Sequence, residues 1–318
     1  MIESDFSLVI INSKNGQTER ILSGHTNYIK DVIILPNNKI ASRSDDKTIK
    51  IWNPNTGICD VTITHNNEIL DFAIYKQSEP ISIVSVDKNN LYITNTNTGE
   101  LLYKNENLQI KDFVLPLANG MIVLGTTYSQ GNIIILNPMI DQIIPIQFND
   151  IKLQTFTSKI SFSDNSFIIG SNKGRIFNIL MDNSGAVYNG SSFYLRSTII
   201  LKGSITEISN LSDEKIIVTS SDGTVTIINK RDLKQVNNFL TERYPSVIVI
   251  SENQMVLKIW GKIEVWNPQK LFSDKQPDSI INTMKYGEFE KVIKLSNGKI
   301  ALLGMDDKTD KIFLNIWK

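Results

Sequence analysis

Side chains that do chemistry are scarce in this chain. It has one cysteine, Cys59, and two histidines, His25 and His65, in 318 residues. A single cysteine excludes an internal disulfide and suits a reducing compartment. A global electrostatic field is missing as well: Lys+Arg and Asp+Glu balance at 33 each. Nothing in that balance draws nucleic acid or an acidic membrane. There is no run of 18 apolar residues and no charged-then-apolar leader at the start. These absences describe a soluble intracellular protein, cytoplasmic with the nucleus left open, that binds neither nucleic acid nor membrane. Helical periodicity of useful length is also missing, and proline and glycine are scattered through turns rather than gathered in a linker.

What is present is repetition. Residues Gly24 to Asn53 read GHTNYIKDVIILPNNKIASRSDDKTIKIWN. A Gly-His pair is followed by an apolar alternating run and a Pro-Asn-Asn turn. A short run holding Ser42 and Ser44 comes next, then an acidic turn at Asp45-Asp46 and a strand ending on Trp52-Asn53. The strand end recurs at Ile11-Asn12, Trp52-Asn53, Thr94-Asn95 and Leu136-Asn137, with spacings of 41, 42 and 42. Later ends at Leu180, Asn229, Trp266 and Trp317 drift to 44, 49, 37 and 51, as insertions within loops would produce. First strands repeat in step: Ile29-Lys30-Asp31-Val32, Ile69-Leu70-Asp71-Phe72, Ile110-Lys111-Asp112-Phe113, Ile205-Thr206-Glu207-Ile208 and Glu290-Lys291-Val292-Ile293. Weaker copies open near Thr157 and Pro245.

This pattern resembles the WD-repeat family, whose blades run roughly 40–45 residues and four antiparallel strands. The resemblance covers the whole chain unevenly. It is strong in Gly24–Asn53, good in VTSSDGTVTIIN (218–229), visible in GMDDK and NIWK near the end, and weak elsewhere. It implies an all-β, seven-bladed β-propeller of four-stranded antiparallel blades. Such a fold makes one domain over 1–318, with blade starts near 29, 69, 110, 156, 204, 245 and 289. The N-terminal segment 8–23 is expected to close the last blade so that the ring edges are paired. Thr18–Leu22 would be its outer strand and Leu8–Asn12 a surplus edge strand.

By the same resemblance, His25, Ser42 (or Ser44), Asp46 and Trp52 form a structural network in the first blade, and His65 keeps part of one. With both histidines so assigned, none is left for a nucleophile–base pair or a zinc site. SerAspGly at 221–223 and AspAsp at 45–46 and 306–307 read as turns. No catalytic residue, metal or cofactor is expected, and the chain is read as no enzyme.

The family implies a protein-interaction scaffold, with the first residues of the inner strands at the channel mouth. Those positions hold Asp31, Asp71, Asp112, Ser158, Glu207, Ser246 and Lys291. A ring of carboxylates would suit a basic side chain or a free N-terminus of a partner peptide or domain. The competing reading is rim charges paired with neighbours such as Lys30 and Lys111. Trp260 has no slot in the blade pattern and Tyr128 occupies a corresponding turn; either projects at the rim as a contact or folds back over its loop. Arg43 stands where the family has a small residue, and an internal acid such as Asp71 or Asp45 is its expected partner. A second functional reading is an assembly or substrate-receptor subunit that uses the edge or bottom face; a third is a propeller enzyme. The chain is expected to be a monomer by itself.

Overall fold

The structure is a computed structural model. It describes residues 6–12, 18–76, 80–126, 133–146, 155–181, 193–241, 245–251, 254–259, 262–267, 277–282, 288–294, 300–306 and 311–317. Among these, the strands fall into seven sheets. Six are four-stranded meanders of consecutive strands, at 29–64, 71–105, 110–146, 156–200, 205–240 and 246–282, here blades 1 to 6. Blade 7 is the five-stranded sheet formed by 288–317 and 8–22.

Burial follows position in the blade. The second strand of blade 2, Ser82–Val86, is buried at every residue, and so are Ile122–Thr126 and Phe167–Ser171. Such strands have a neighbouring blade on both faces, which explains their continuous apolar runs. Outer strands return to alternation, as in Cys59–Thr64 and Gln235–Leu240. The core is therefore a series of layers between blades. Leu35, Ala41, Ile49 and Ile51 of blade 1 meet Phe72 and Ile83 of blade 2. Phe113, Val123 and Ile135 of blade 3 meet Phe156, Phe167 and Phe177 of blade 4.

The ring closes through a cluster joining Leu8, Ile10 and Leu22 to Ile29, Val32, Ile40 and Trp52 of blade 1. Here the strand order differs from the sequence expectation. Leu8–Asn12 is not the edge: it lies between Lys311–Trp317 and Thr18–Leu22. It runs parallel to the former, from Leu8 opposite Ile312 to Asn12 opposite Ile316, and antiparallel to the latter. Composition supplies the reason. In LVIIN, Leu8 and Ile10 are almost fully buried, whereas in TERIL both Glu19 and Arg20 are exposed and Ile21 is 47% exposed. The apolar strand takes the inner slot, and the charged strand blunts the edge.

Turn chemistry fixes the blade ends. In the Ser-Asn-Lys-Gly turn of blade 4, Gly174 has φ +71°, and a Cβ there would lie 2.3 Å from the carbonyl oxygen of Leu201 and 2.7 Å from that of Gly203. Both obstacles are backbone. Gly57 shares the positive φ (+79°), but its nearest neighbour would be 3.6 Å away. Gly174→Ala is therefore expected to cost at least about 2 kcal/mol and Gly57→Ala about 1 kcal/mol. Urea unfolding followed by circular dichroism ranks the two.

Candidate interaction site at the channel

An innermost strand has a neighbour strand on one side only, so its other row of backbone N–H groups needs acceptors. The chain supplies them from the preceding blade. Asp71 of blade 2 accepts the N–H of Val114 in blade 3 (2.9 Å), and Asp112 of blade 3 accepts that of Phe156 in blade 4 (3.3 Å). Ser158 of blade 4 accepts the N–H of Ile208 (2.8 Å), and Glu207 of blade 5 accepts that of Val247 (2.8 Å). The polar inner-strand positions of blades 2 to 5 thus tie each of those blades to the next.

Asp71, Asp112, Ser158, Glu207 and Ser246 line one channel cavity of about 470 Å³, at the end where the inner strands begin. Asp31 is not among its lining residues, and its Oδ1 accepts the N–H of Val32 (2.6 Å). Tyr128 and Trp260 lie outside the described residues. The lysines adjacent in sequence form no ion pair with the ring: Lys30 pairs with Asp45 (2.9 Å) and Lys111 reaches Thr155 (3.5 Å). Lys159 does so instead. From blade 4 it crosses the ring of Phe113, 5.4 Å from its centroid, and pairs with Asp71 of blade 2. Sequence reading missed Lys159 because its partner lies two blades away. Arg43 pairs with no acid among the described residues; its Nη1 donates to the carbonyl of Ile69 (2.9 Å), a further tie between blades 1 and 2. Burial raises the pKa of Asp112, and its bond to Phe156 N–H and the charge of Lys111 only partly offset this.

In blade 1, His25, Ser42, Asp46 and Trp52 form one connected set of hydrogen bonds. The Nδ1–H of His25 donates to Asp46 (2.7 Å), and Nε2 accepts the Ser42 hydroxyl (2.8 Å). Ser42 Oγ in turn accepts the indole N–H of Trp52 (2.8 Å). Asp46 also accepts the N–H of Thr26 (3.0 Å) and the Thr48 hydroxyl (2.7 Å). Every side-chain donor of this network is used, and the loop before the first strand is locked to the turn after the second. Residues 16–53 match the family model of the WD domain, G-beta repeat. The chain carries a WD repeat. Over 67 residues it is 37% identical to the WD repeat-containing protein 89 homolog of Dictyostelium discoideum, a match spanning 21% of this chain and 19% of that protein. A crystal structure of the computationally designed Ika8 protein superposes with a TM-score of 0.69. It does so at 18% identity over 95% of this chain and 87% of that one, a likeness of fold alone.

Blade 2 wires the equivalent residues differently. Thr94 stands in place of the tryptophan, while His65 Nε2 keeps its serine, Ser85 (2.9 Å). Asp87 accepts the hydroxyl of Tyr92 (3.0 Å) and amides of Asn67 and Asn90, and the Tyr92 ring stands edge-on to His65 at 4.6 Å. The Nδ1 of His65 is buried without a partner. Burial lowers its pKa from 6.5 to about 4, against the opposing charge of Asp87. A folded-state pKa below the unfolded one means stability is full above pH 6.5 and is lost as pH falls from 6.5 toward 4. The loss approaches on the order of 3 kcal/mol at the acid end. His25 shifts in the same direction, again mainly through burial. Urea midpoints at pH 7 and pH 4.5 are expected to fall further in the wild type than in His65→Gln; equal falls would remove His65 as the cause.

Proposed function

We propose that this chain is a non-catalytic protein-interaction scaffold that holds a partner's basic side chain or free N-terminus at the channel end where the inner strands begin. The single observation carrying this reading is the convergence of Asp71, Asp112 and Glu207 on one cavity with a fixed orientation for each carboxylate. The bond to the next blade occupies one oxygen of Asp71 and of Asp112. Among the described residues, the other oxygen of each makes no hydrogen bond. Acceptors held in place before binding lose little freedom on binding, which favours affinity. Burial that raises the pKa of Asp112 is relieved by an arriving cation. Lys159 occupies Asp71 in the free protein, so a guest cation replaces it there or takes Asp112 and Glu207 beside it.

The experiment is affinity purification from native lysate with wild type and with Asp71→Asn/Asp112→Asn. Asparagine keeps an oxygen for the backbone N–H of the next blade and removes only the charge. A partner retained by wild type and lost by the double variant, at an unchanged melting temperature, is the expected result. Retention of the same partner by the folded variant would move the binding site off the channel.

A further inference from the structure

A second cavity lies apart from the channel. It is a groove of about 980 Å³ between blades 4 and 5, lined by the far ends of their inner strands, Ser161 and Asn210. It therefore opens on the face of the ring opposite the channel cavity. Six charged residues line it, and strand order sorts them by sign. Asp164 sits in the turn between the first and second strands of blade 4, and Asp213 and Glu214 sit in the same turn of blade 5. First and second strands are the innermost of each blade, so the carboxylates lie toward the axis. Arg196 lies on the outermost strand of blade 4, and Lys230 and Arg231 lie in the turn leading to the outermost strand of blade 5, so the cations lie toward the rim.

Among the described residues no salt bridge joins these six charges. Arg196, Arg231, Asp213 and Glu214 make no side-chain ion pair or hydrogen bond among the described residues, and all four are exposed. Lys230 stands over the Phe162 ring at 4.6 Å with no carboxylate in ion-pair range, and the charges of Asp213 and Asp164 only partly offset the lowering of its pKa by burial. The walls are set in advance. Asn178, only 3% exposed, donates its amide to the carbonyl of Lys230 (2.6 Å), and the N–H of Lys230 donates to the carbonyl of Glu214 (2.8 Å). The groove thus has a rigid frame, unpaired charges of both signs, and hydroxyl and amide groups such as Ser163 and Asn210 that can bond a peptide backbone.

We propose that this groove is a second docking site, taking an extended peptide segment of a partner protein with a basic residue toward the axis and an acidic residue toward the rim. Charge complementarity selects that occupant: a ligand of uniform sign, a nucleic acid included, would set like charges against half of the charged lining residues. The site is independent of the channel reading.

Fluorescence anisotropy with labelled probe peptides tests it. The probes are KRSGSDE and its reverse EDSGSRK, which cover both chain directions, with DESGSED and KRSGSRK as single-sign controls. One mixed probe is expected to bind saturably, and both single-sign probes about tenfold or more weaker. Arg196→Glu/Arg231→Glu and Asp213→Lys/Glu214→Lys, four exposed positions, are each expected to weaken the mixed probe about tenfold with unchanged melting temperature. Three outcomes would overturn the proposal: no saturable binding of either mixed probe, equal binding of a single-sign probe, or indifference to both double variants.

Discussion

Trp52→Ala is expected to destabilise the ring by about 3–5 kcal/mol, the range for truncating a fully buried aromatic side chain. Trp52 is 0% exposed and packs in the cluster that closes the ring, against Leu8, Ile10 and Leu22 of blade 7 and Ile29 and Val32 of its own blade. It is also the last member of the chain from Asp46 through His25 and Ser42. Removing it opens a cavity between the first and last blades and leaves the Ser42 oxygen without its donor. Trp52→Phe separates the two effects. It keeps most of the apolar volume and deletes the N–H, for an expected loss of about 1–2 kcal/mol. Urea unfolding at pH 7 measures both. A Trp52→Ala loss under about 1 kcal/mol would mean that the closure does not depend on this side chain.

Leu8→Ala carries the second large effect, an expected loss of about 2–5 kcal/mol. Leu8 is 0% exposed in the parallel slot beside Lys311–Trp317, with Ile312 as its register partner. The informative comparison is Ile21→Ala on the neighbouring strand, where the side chain is 47% exposed and the expected change stays within about 0.5 kcal/mol. If Thr18–Leu22 held the inner slot, as the sequence pattern suggested, the two effects would reverse in order. The pair of substitutions therefore reads the strand order of blade 7 directly. Because stability in a repeat array is shared between nearest neighbours, Leu8→Ala is also expected to broaden the unfolding transition.

Much of the architecture was legible because one-dimensional signals carried it. The third-strand ends at Trp52, Thr94 and Leu136 and the inner-strand openings at Ile29, Ile69 and Ile110 locate blades by periodicity alone. The blade 1 network was readable because all four of its residues are present. The order of Leu8–Asn12 and Thr18–Leu22 was less accessible. Both alternate plausibly, and parallel pairing across the chain's two ends leaves no local trace. The usable clue was the contrast between an apolar LVIIN and a charged TERIL. The inner-strand acids were visible as a ring, but their partners were not: backbone N–H groups of the next blade depend on blade-to-blade distance, which no spacing encodes. Lys159 was missed for the same reason, since it reaches Asp71 across two blades. In blade 2 the replacement of tryptophan by Thr94 was plain, whereas the use of Tyr92 and Asp87 beside His65 required the fold.

Rigidity of the ring rests on inner-strand side chains that cap the backbone of the following blade, and this is also what orients the carboxylates at the channel. Amide hydrogen exchange resolved to single residues tests it most directly. The N–H groups of Val114, Ile208 and Val247, each bonded to the preceding blade, are expected to exchange slowly in the wild type. In Asp71→Ala, Val114 alone is expected to accelerate, by about 10²-fold or more, while Ile208 and Val247 keep their protection. If Val114 exchanged at the rate of an exposed amide in the wild type, or if its rate did not change in Asp71→Ala, blade-to-blade capping would be contradicted.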